Sequence, residues 1–194
     1  FTDDSIILSK NGIKIHQIEG EFINFKITTK GDLEVANMIE REKKNQIIKV
    51  GSGFDVHEFE KGDAIKLFGV TIPFNKKLKG HSDADVGLHA LTDAILGAIG
   101  RGDIGEHFPP SNSKWKNQNS EIFLLYSKKL MEKDGYKINN LDLTLMCEKP
   151  KVTKYKTQFK EKISFLLNIK SQDVNVKATT TEKLGFLGRE EGIA

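Results

Sequence analysis

Gly53-Phe54-Asp55-Val56-His57, entered through the apolar-rich run Ile47-Ile48-Lys49-Val50 and followed by His81-Ser82-Asp83-Ala84-Asp85 and His89, decides how this chain reads. The apolar run predicts a strand over 47–53. In extended backbone, residues i and i+2 share a face, so Asp55 and His57 aim a carboxylate and an imidazole into one space. His89 falls in a helical pattern over about 84–99, where Val86, Leu91, Ile95, Ala98 and Ile99 supply apolar surface. Asp85, His89 and Asp93, at i, i+4 and i+8, line one face of that helix. Such a stripe also reads as a solvated polar face. Taken with Asp55 and His57, His89 supplies the third donor of a divalent-metal site that keeps one coordination position open. Asp85 and Asp93 both stand at a spacing suited to receive the second ring N–H of His89. Two imidazoles and a carboxylate suit zinc better than magnesium, and suit iron as a facial triad.

Outward from this stretch, the chain of 194 residues is long enough for one domain with a proper core, or for a domain plus an appendage. Hydrophobic residues make up 38%, and no apolar run approaches the length of a membrane span, which predicts a soluble protein with no membrane partner. The net charge of +3 is too small to argue for nucleic acid, and the lysines are scattered rather than striped. The one cysteine, Cys147, excludes an internal disulfide and fits a reducing compartment. Its place in an alternating strand pattern favours a buried core thiol over a nucleophile. The first residue is Phe, which reads as a fragment or processed form with any targeting segment upstream.

Residues 1–46 read as an N-terminal extension of unknown role, and 47–194 as the main domain. In the extension, Ser5-Ile6-Ile7-Leu8 and Ile13-Lys14-Ile15-His16 flank Asn11-Gly12, a hairpin signal. The charged run Glu40–Asn45 predicts a solvated helix end or linker. Beyond it, strands are expected at 64–70 with 71–74, at 141–147 and at 174–179. Helices are expected around Ile122–Leu130, with Ser120 as N-cap and Gly135 as stop, and around Phe159–Leu167. This predicts an α+β fold with a mixed sheet covered by helices on one side and split βαβ character.

A phosphate-facing segment follows the last strand. Lys177-Ala178-Thr179-Thr180-Thr181-Glu182-Lys183 offers hydroxyl and backbone donors to phosphate oxygens, and Glu182 suits a second, harder cation such as magnesium. The same threonines also read as a strand edge of high β-propensity. Arg101-Gly102-Asp103-Ile104-Gly105 is a turn-rich loop that allows close backbone approach to a ligand. Asp103 reads there either as a hydroxyl acceptor or as a turn residue.

These segments, in this order and with Asp173–Phe186 complete, closely resemble the 2-C-methyl-D-erythritol 2,4-cyclodiphosphate synthases of the non-mevalonate isoprenoid pathway. The resemblance runs from about Lys49 to Ala194. It implies a lyase that cyclises 4-diphosphocytidyl-2-C-methyl-D-erythritol 2-phosphate with release of CMP, by attack of the 2-phosphate on the β-phosphate. It implies one zinc per subunit on Asp55, His57 and His89, with magnesium or manganese at Glu182. His81 and Thr180 match the transition-state-stabilising residues, and Ser82 the substrate contact beside His81. Asp103 and Gly105 match residues that hold the methylerythritol hydroxyls, and Phe108 begins another substrate loop. The cytidine pocket corresponds to Cys147, Pro150, Lys151, Val152 and Thr153 together with Ala178, Thr179 and Thr180. Cys147-Glu148-Lys149 departs from an Ala-rich family pattern, which favours backbone contacts there.

The resemblance further implies a homotrimer with sites between subunits, with Phe186 and Arg189 facing the axis, where some members hold an isoprenoid diphosphate. The extension and the Lys- and Asn-rich composition resemble the plastid forms of apicomplexan parasites, which implies the apicoplast stroma. Two other readings stay open: a zinc hydrolase with water in the open position, and a non-catalytic metal-dependent scaffold or isoprenoid-diphosphate-binding module.

Overall fold

The computed structural model describes residues 4–16, 18–21, 24–44 and 47–194. The chain divides into two units, Phe1–Ile47 and Ile48–Ala194.

The first unit carries helix α1 (Asp4–Lys10) and helix α2 (Lys30–Lys44). The hairpin expected at its start is a helix instead. Ser5 to Leu8 lie inside α1, and Asn11-Gly12 ends it. The Ile13 N–H donates to the Leu8 carbonyl and the Gly12 N–H to the Ser9 carbonyl, each at 3.1 Å, with Gly12 at φ +76°. That double bond pattern with a left-handed glycine is a Schellman stop, which satisfies helix carbonyls that a hairpin would not have offered. α2 begins with a capping box. The Asp32 carboxylate accepts from the Thr28 and Thr29 N–H groups, and the Asp32 N–H donates to the Thr29 hydroxyl. Those backbone bonds pull the Asp32 carboxyl down to about 2. Among the residues of this unit whose burial is described, at 5–16, 18–21, 24–40 and 47, none is buried.

The second unit is α+β, as the sequence predicts. Strand β1 (His57–Lys61) lies between β4 (Lys76–Leu78) and β7 (Gly192–Ile193), both antiparallel to it. β2 (Ala64–Leu67) and β3 (Val70–Pro73) form a hairpin. β5 (Leu141–Met146), α6 (Lys156–Leu167) and β6 (Val174–Thr179) form a parallel βαβ unit in register from Leu141 opposite Val174 to Met146 opposite Thr179. Met146 and Ala194 exchange backbone bonds of 2.7 and 3.1 Å, which joins the end of β7 to the end of β5. Helix α3 (Val86–Ile99) packs against α5 (Glu121–Lys133), and α6 against β6. The buried faces of α3, α5 and α6, with Leu88, Leu91, Leu124, Phe159 and Ile163 almost fully enclosed, make the core with Ile65, Leu67, Ile72 and Val174. Short helices α4 (Ile104–His107) and α7 (Gly185–Gly188) close loops.

Two local features place the site. The β2–β3 turn carries Phe68 at φ 51° and Gly69 at φ 77°, the paired left-handed residues of a type I′ turn. Phe68 is an unfavourable residue there, and it is held by burial against Phe159 (ring centroids 5.3 Å apart) and by Asp85. The Asp85 carboxylate accepts from the Phe68 N–H at 2.8 Å and the Gly69 N–H at 2.6 Å, and caps α3 through the Leu88 N–H at 3.0 Å. One buried carboxylate thus ties the hairpin turn to the start of α3. The second feature is a departure from expectation. Residues 47–56 form no strand, and the first strand of this unit begins at His57. Gly51 and Gly53 instead lie against the backbone of α3, where a Cβ on either would stand 1.9 Å from the carbonyl oxygens of Ala94 and Ala90 respectively. The segment through Gly51 and Gly53 is shaped for that helix and not for a ladder, and the apolar Ile48 and Val50 before it stay exposed.

Candidate metal centre

Asp55 leaves the 51–55 segment, His57 opens β1, and His89 stands one turn into α3. Their donor atoms converge. Asp55 Oδ2 lies 3.0 Å from His57 Nε2 and 3.1 Å from His89 Nδ1, and the two imidazole nitrogens are 3.1 Å apart. Two imidazoles and a carboxylate are a borderline donor set of the kind zinc takes at about 2.0–2.1 Å, for which tetrahedral donors stand roughly 3.3 Å apart. Among the described residues this is the one group of three such side chains gathered closely enough to hold an ion. The residues fit a divalent metal. They are half-buried, with side-chain exposures of 26%, 15% and 14% for Asp55, His57 and His89, so one side stays open to a ligand.

The ring of His57 is fixed by the Lys79 carbonyl, 2.7 Å from Nδ1. A carbonyl only accepts, so Nδ1 carries the hydrogen and Nε2 presents its lone pair to the centre. Burial by itself would lower the His57 pKa, but the hydrogen bond and charge of Asp55, with the Lys79 carbonyl, raise it above its ordinary value. Burial likewise pushes the Asp55 carboxyl up, and the hydrogen bonds and charges of the two histidines overcome that and hold it well below the usual carboxylate range. The Val56 N–H, 2.8 Å from Asp55 Oδ1, orients the other oxygen toward the histidines.

The acceptor expected beyond His89 is neither Asp85 nor Asp93. Asp85 is fully buried in its capping role, where burial raises its pKa. Asp93 accepts from the Ile104 N–H at 2.8 Å, which pins the 101–105 loop to α3. Asp93 stands on α3 where helical spacing put it, whereas Asp85 is the non-helical N-cap that precedes the helix, and a backbone N–H nearby claimed each side chain. His89 Nε2 faces instead the hydroxyls of Ser120 at 2.8 Å and Ser82 at 3.1 Å. Ser120, Asp83 and Lys66 belong to this surrounding, and sequence reading had not placed them there.

Of the other predicted residues, those at 147–153 and 178–182 are brought together at the ends of β5 and β6, while the rest stand apart from them. The Cys147 N–H donates to the Thr179 carbonyl at 3.1 Å, bringing the 147–153 segment beside Ala178–Thr180. The Cys147 side chain turns into the core, 6% exposed, and burial raises its thiol to about 11, so it offers backbone and not a nucleophile. Val152 and Phe108 are buried too, while Lys151 and Thr153 are exposed. The Glu148 carboxylate accepts from the Thr181 and Lys183 N–H groups at 3.1 and 3.2 Å, holding a turn in which Glu182 and Lys183 both take left-handed backbone, φ 53° and 63°. The exposed Glu182 accepts from the Thr180 hydroxyl at 2.7 Å. Asp103 caps α4 through the Glu106 N–H, and Gly105 and His81 are exposed. Arg189 pairs with Glu191 at 2.7 and 3.1 Å, and Phe186 is 43% exposed. A separate cavity of about 260 Å³ lies between residues 51–55 and β5, and of the three metal-site residues only Asp55 touches it.

Residues 48–194 match the model of the YgbB family. The chain is 48% identical over 199 residues to a bifunctional enzyme IspD/IspF of Wolbachia pipientis, covering 100% of this chain and 49% of that protein. It is 51% identical over 196 residues to the one of Bartonella bacilliformis, again covering 100% and 49%. The chain therefore spans about half the length of the curated relatives it matches. Among solved structures it resembles the bifunctional IspDF of Campylobacter jejuni, at TM-score 0.69 and 42% identity, covering 100% of this chain and 52% of that one. It also resembles a CDP complex of IspF from Plasmodium falciparum, at TM-score 0.66 and 36% identity, covering 75% and 89%. A third likeness is to a 2C-methyl-D-erythritol-2,4-cyclodiphosphate synthase, at TM-score 0.69 and 34% identity, covering 75% and 94%.

Proposed function

The chain belongs to the YgbB family, and from that premise we propose that residues 48–194 act as a 2-C-methyl-D-erythritol 2,4-cyclodiphosphate synthase. The observation that carries the reading is the triangle of Asp55 Oδ2, His57 Nε2 and His89 Nδ1 inside the family match, with the His57 tautomer already set for a metal. In the reaction, an oxygen of the substrate's 2-phosphate forms a bond to the β-phosphorus. The bond from that phosphorus to the oxygen bridging the α-phosphate breaks, and its electron pair leaves with CMP. The nucleophile belongs to the substrate, so the protein's task is positioning and charge stabilisation.

Zinc is the metal best suited to two imidazoles and a carboxylate, and when bound it supplies a Lewis acid for phosphate oxygens. Asp55, His57 and His89 would hold it, and Glu182 would hold magnesium or manganese beside the diphosphate. His81 and Thr180 stabilise charge on the transferring phosphoryl group, with Ser82 beside His81. Asp103 and Gly105 hold the methylerythritol hydroxyls, and the Phe108 loop flanks them. Cys147, Pro150, Lys151, Val152 and Thr153 with Ala178 and Thr179 take the cytidine through backbone groups. The solved relatives with CDP support a cytidine nucleotide as ligand.

A homotrimer places the metal centre of one subunit against the cytidine segment of its neighbour. Its support is the strong exposure of the apolar residues Ile48, Val50, Phe54, Phe165 and Leu184. Phe186 and Arg189 line the axis of that trimer. An isoprenoid diphosphate there must share the guanidinium of Arg189 with Glu191. Residues 1–46 fall outside the family match, yet the alignment to the bifunctional relatives covers them, and we assign them to the second module those names imply. No helix of the described residues is long and apolar enough to cross a membrane. Residence in the apicoplast stroma is supported by the N-terminal extension and the Lys- and Asn-rich composition, whereas the curated relatives reported above are bacterial.

The test is incubation of the protein with the cytidylyl 2-phosphate substrate, zinc and magnesium, followed by phosphorus NMR. Stoichiometric CMP with a cyclic diphosphate is expected. An open-chain product carrying oxygen from labelled water would make the protein a hydrolase. Zinc and CMP binding without turnover would make it a scaffold.

A further inference from the structure

Ser120 stands at the N-cap position of α5, yet its hydroxyl does not cap the helix. Asn119 does that work, its side-chain oxygen accepting from the Glu121 N–H at 3.0 Å. Ser120 is fully buried, and its hydroxyl makes a short contact with Asp83 Oδ1, which also receives the Ser120 N–H at 3.1 Å. Asp83 Oδ2 receives the Lys66 ammonium at 2.9 Å, and Lys66 also reaches Asn119 Oδ1 at 3.1 Å. These side chains come from β2, from the turn before α3 and from the start of α5, and they meet behind His89.

The directions of these bonds are forced. A carboxylate oxygen only accepts, so Ser120 spends its one hydroxyl hydrogen on Asp83 and turns an oxygen lone pair to His89 Nε2, 2.8 Å away. Nε2 must then carry the ring hydrogen. Nδ1, the atom that faces Asp55 and His57, is then the His89 nitrogen whose lone pair serves a metal, and without one it donates its hydrogen to Asp55. Ser82, 3.1 Å from the same Nε2, accepts a share of that hydrogen and takes the Ala84 N–H at 3.3 Å. Lys79 performs the equivalent service for His57 with a backbone carbonyl, so the two histidines are set by unlike means.

We propose that Ser120 and Asp83 are positioning residues that select the His89 tautomer and lock its ring for the metal, with Lys66 anchoring Asp83. The proposal rests on the reading that Asp55, His57 and His89 hold a divalent ion. Partners of this kind around metal-ligating histidines typically contribute 10–100-fold in metal affinity.

The experiment measures zinc affinity of the full chain by competition with a chromophoric chelator, together with nitrogen-15 spectra of the histidine rings in the metal-free protein. The parent is expected to show His89 with hydrogen on Nε2. Ser120→Ala is expected to weaken zinc by about 10–100-fold, and its His89 signals should shift toward a mixture of tautomers, with the far-UV circular dichroism of the metal-free protein unchanged. Asp83→Asn, which keeps an acceptor for the Ser120 N–H, is the second variant should Ser120→Ala fail to fold; about a tenfold loss is expected. Zinc affinity within twofold of the parent in a folded variant, or a parent His89 with no hydrogen on Nε2, overturns the proposal while leaving the metal reading intact. A parent that binds no zinc overturns both.

Discussion

Gly53→Ala offers a sharp test of how the metal centre is built. Gly53 precedes Asp55 by two residues and lies against α3. A Cβ placed on it would stand 1.9 Å from the Ala90 carbonyl oxygen, 2.8 Å from the Ala94 nitrogen and 2.9 Å from the Ala90 carbonyl carbon. All three are backbone atoms of a helix packed in the core, so no side chain can swing aside. Relief to the tight limit of 3.0 Å requires 1.1 Å of movement (3.0 minus 1.9), and relief to an ordinary 3.4 Å contact requires 1.5 Å. Gly51 is seated just as closely on Ala94, so the segment cannot slide along the helix and must lift away from it at residue 53.

Asp55 rides on that lift. Metal sites tolerate ligand displacements of about 0.2 Å, and the required movement is several times larger. The expected result is a loss of roughly 10²-fold in zinc affinity, the scale of a 1 Å misplacement. Overpacking should also cost about 1–3 kcal/mol of stability in the metal-free protein. Chelator competition reads the first and urea denaturation the second. Gly97→Ala is the control in the same helix: nothing lies within 4 Å of its would-be Cβ, so the extra methyl should stabilise by about 0.5–1 kcal/mol and leave zinc alone. A Gly53→Ala protein that binds zinc within threefold of the parent would refute the close seating of 51–53 on α3 as the device that places Asp55.

Asp85→Asn should cost about 2–4 kcal/mol in urea denaturation, because an amide nitrogen would face the Gly69 N–H that Asp85 Oδ2 now accepts; an unchanged midpoint would show that the turn is held by packing alone. In the metal-free protein, the raised pKa of His57 gives stability that is fully present below about 6.5 and lost as pH rises through the raised value. The lowered pKa of Asp55 gives stability present above about 3.9 and lost only as pH falls through its lowered value. The chelator-treated parent should therefore lose melting temperature relative to Asp55→Asn as pH rises from about 6.5 through the raised His57 value, and parallel melting curves there would contradict the pairing. Glu182→Ala should weaken the response to magnesium or manganese while zinc content, measured by atomic absorption, stays at the parent level; loss of zinc with an unchanged magnesium response would reverse the division of the two metals.

What the sequence disclosed and what it hid divide along a physical line. Asp55 and His57 were legible because a spacing of two sets a common face in extended backbone, and His89 because it supplied the third donor. Asp85 and Asp93 were misread for a related reason. Helical spacing tells where a carboxylate stands, but not which backbone N–H reaches it first, and the Phe68, Gly69 and Leu88 donors take Asp85 just as the Ile104 donor takes Asp93. Asn11-Gly12 failed as a hairpin signal because a left-handed glycine serves a Schellman stop as well as a type I′ turn, and only the bonds back to Leu8 and Ser9 separate the two. The link from Asp83 to Ser120 spans 37 residues and three elements, beyond any periodicity. Yet the sequence carried a trace of it. Asn119-Ser120 places two capping residues where a helix needs one, and the second is released to bind elsewhere once the first has taken the helix N–H. A doubled cap beside a suspected metal ligand is thus a signal worth reading: it marks a polar side chain with a buried position and no local obligation, which the fold can spend on the site.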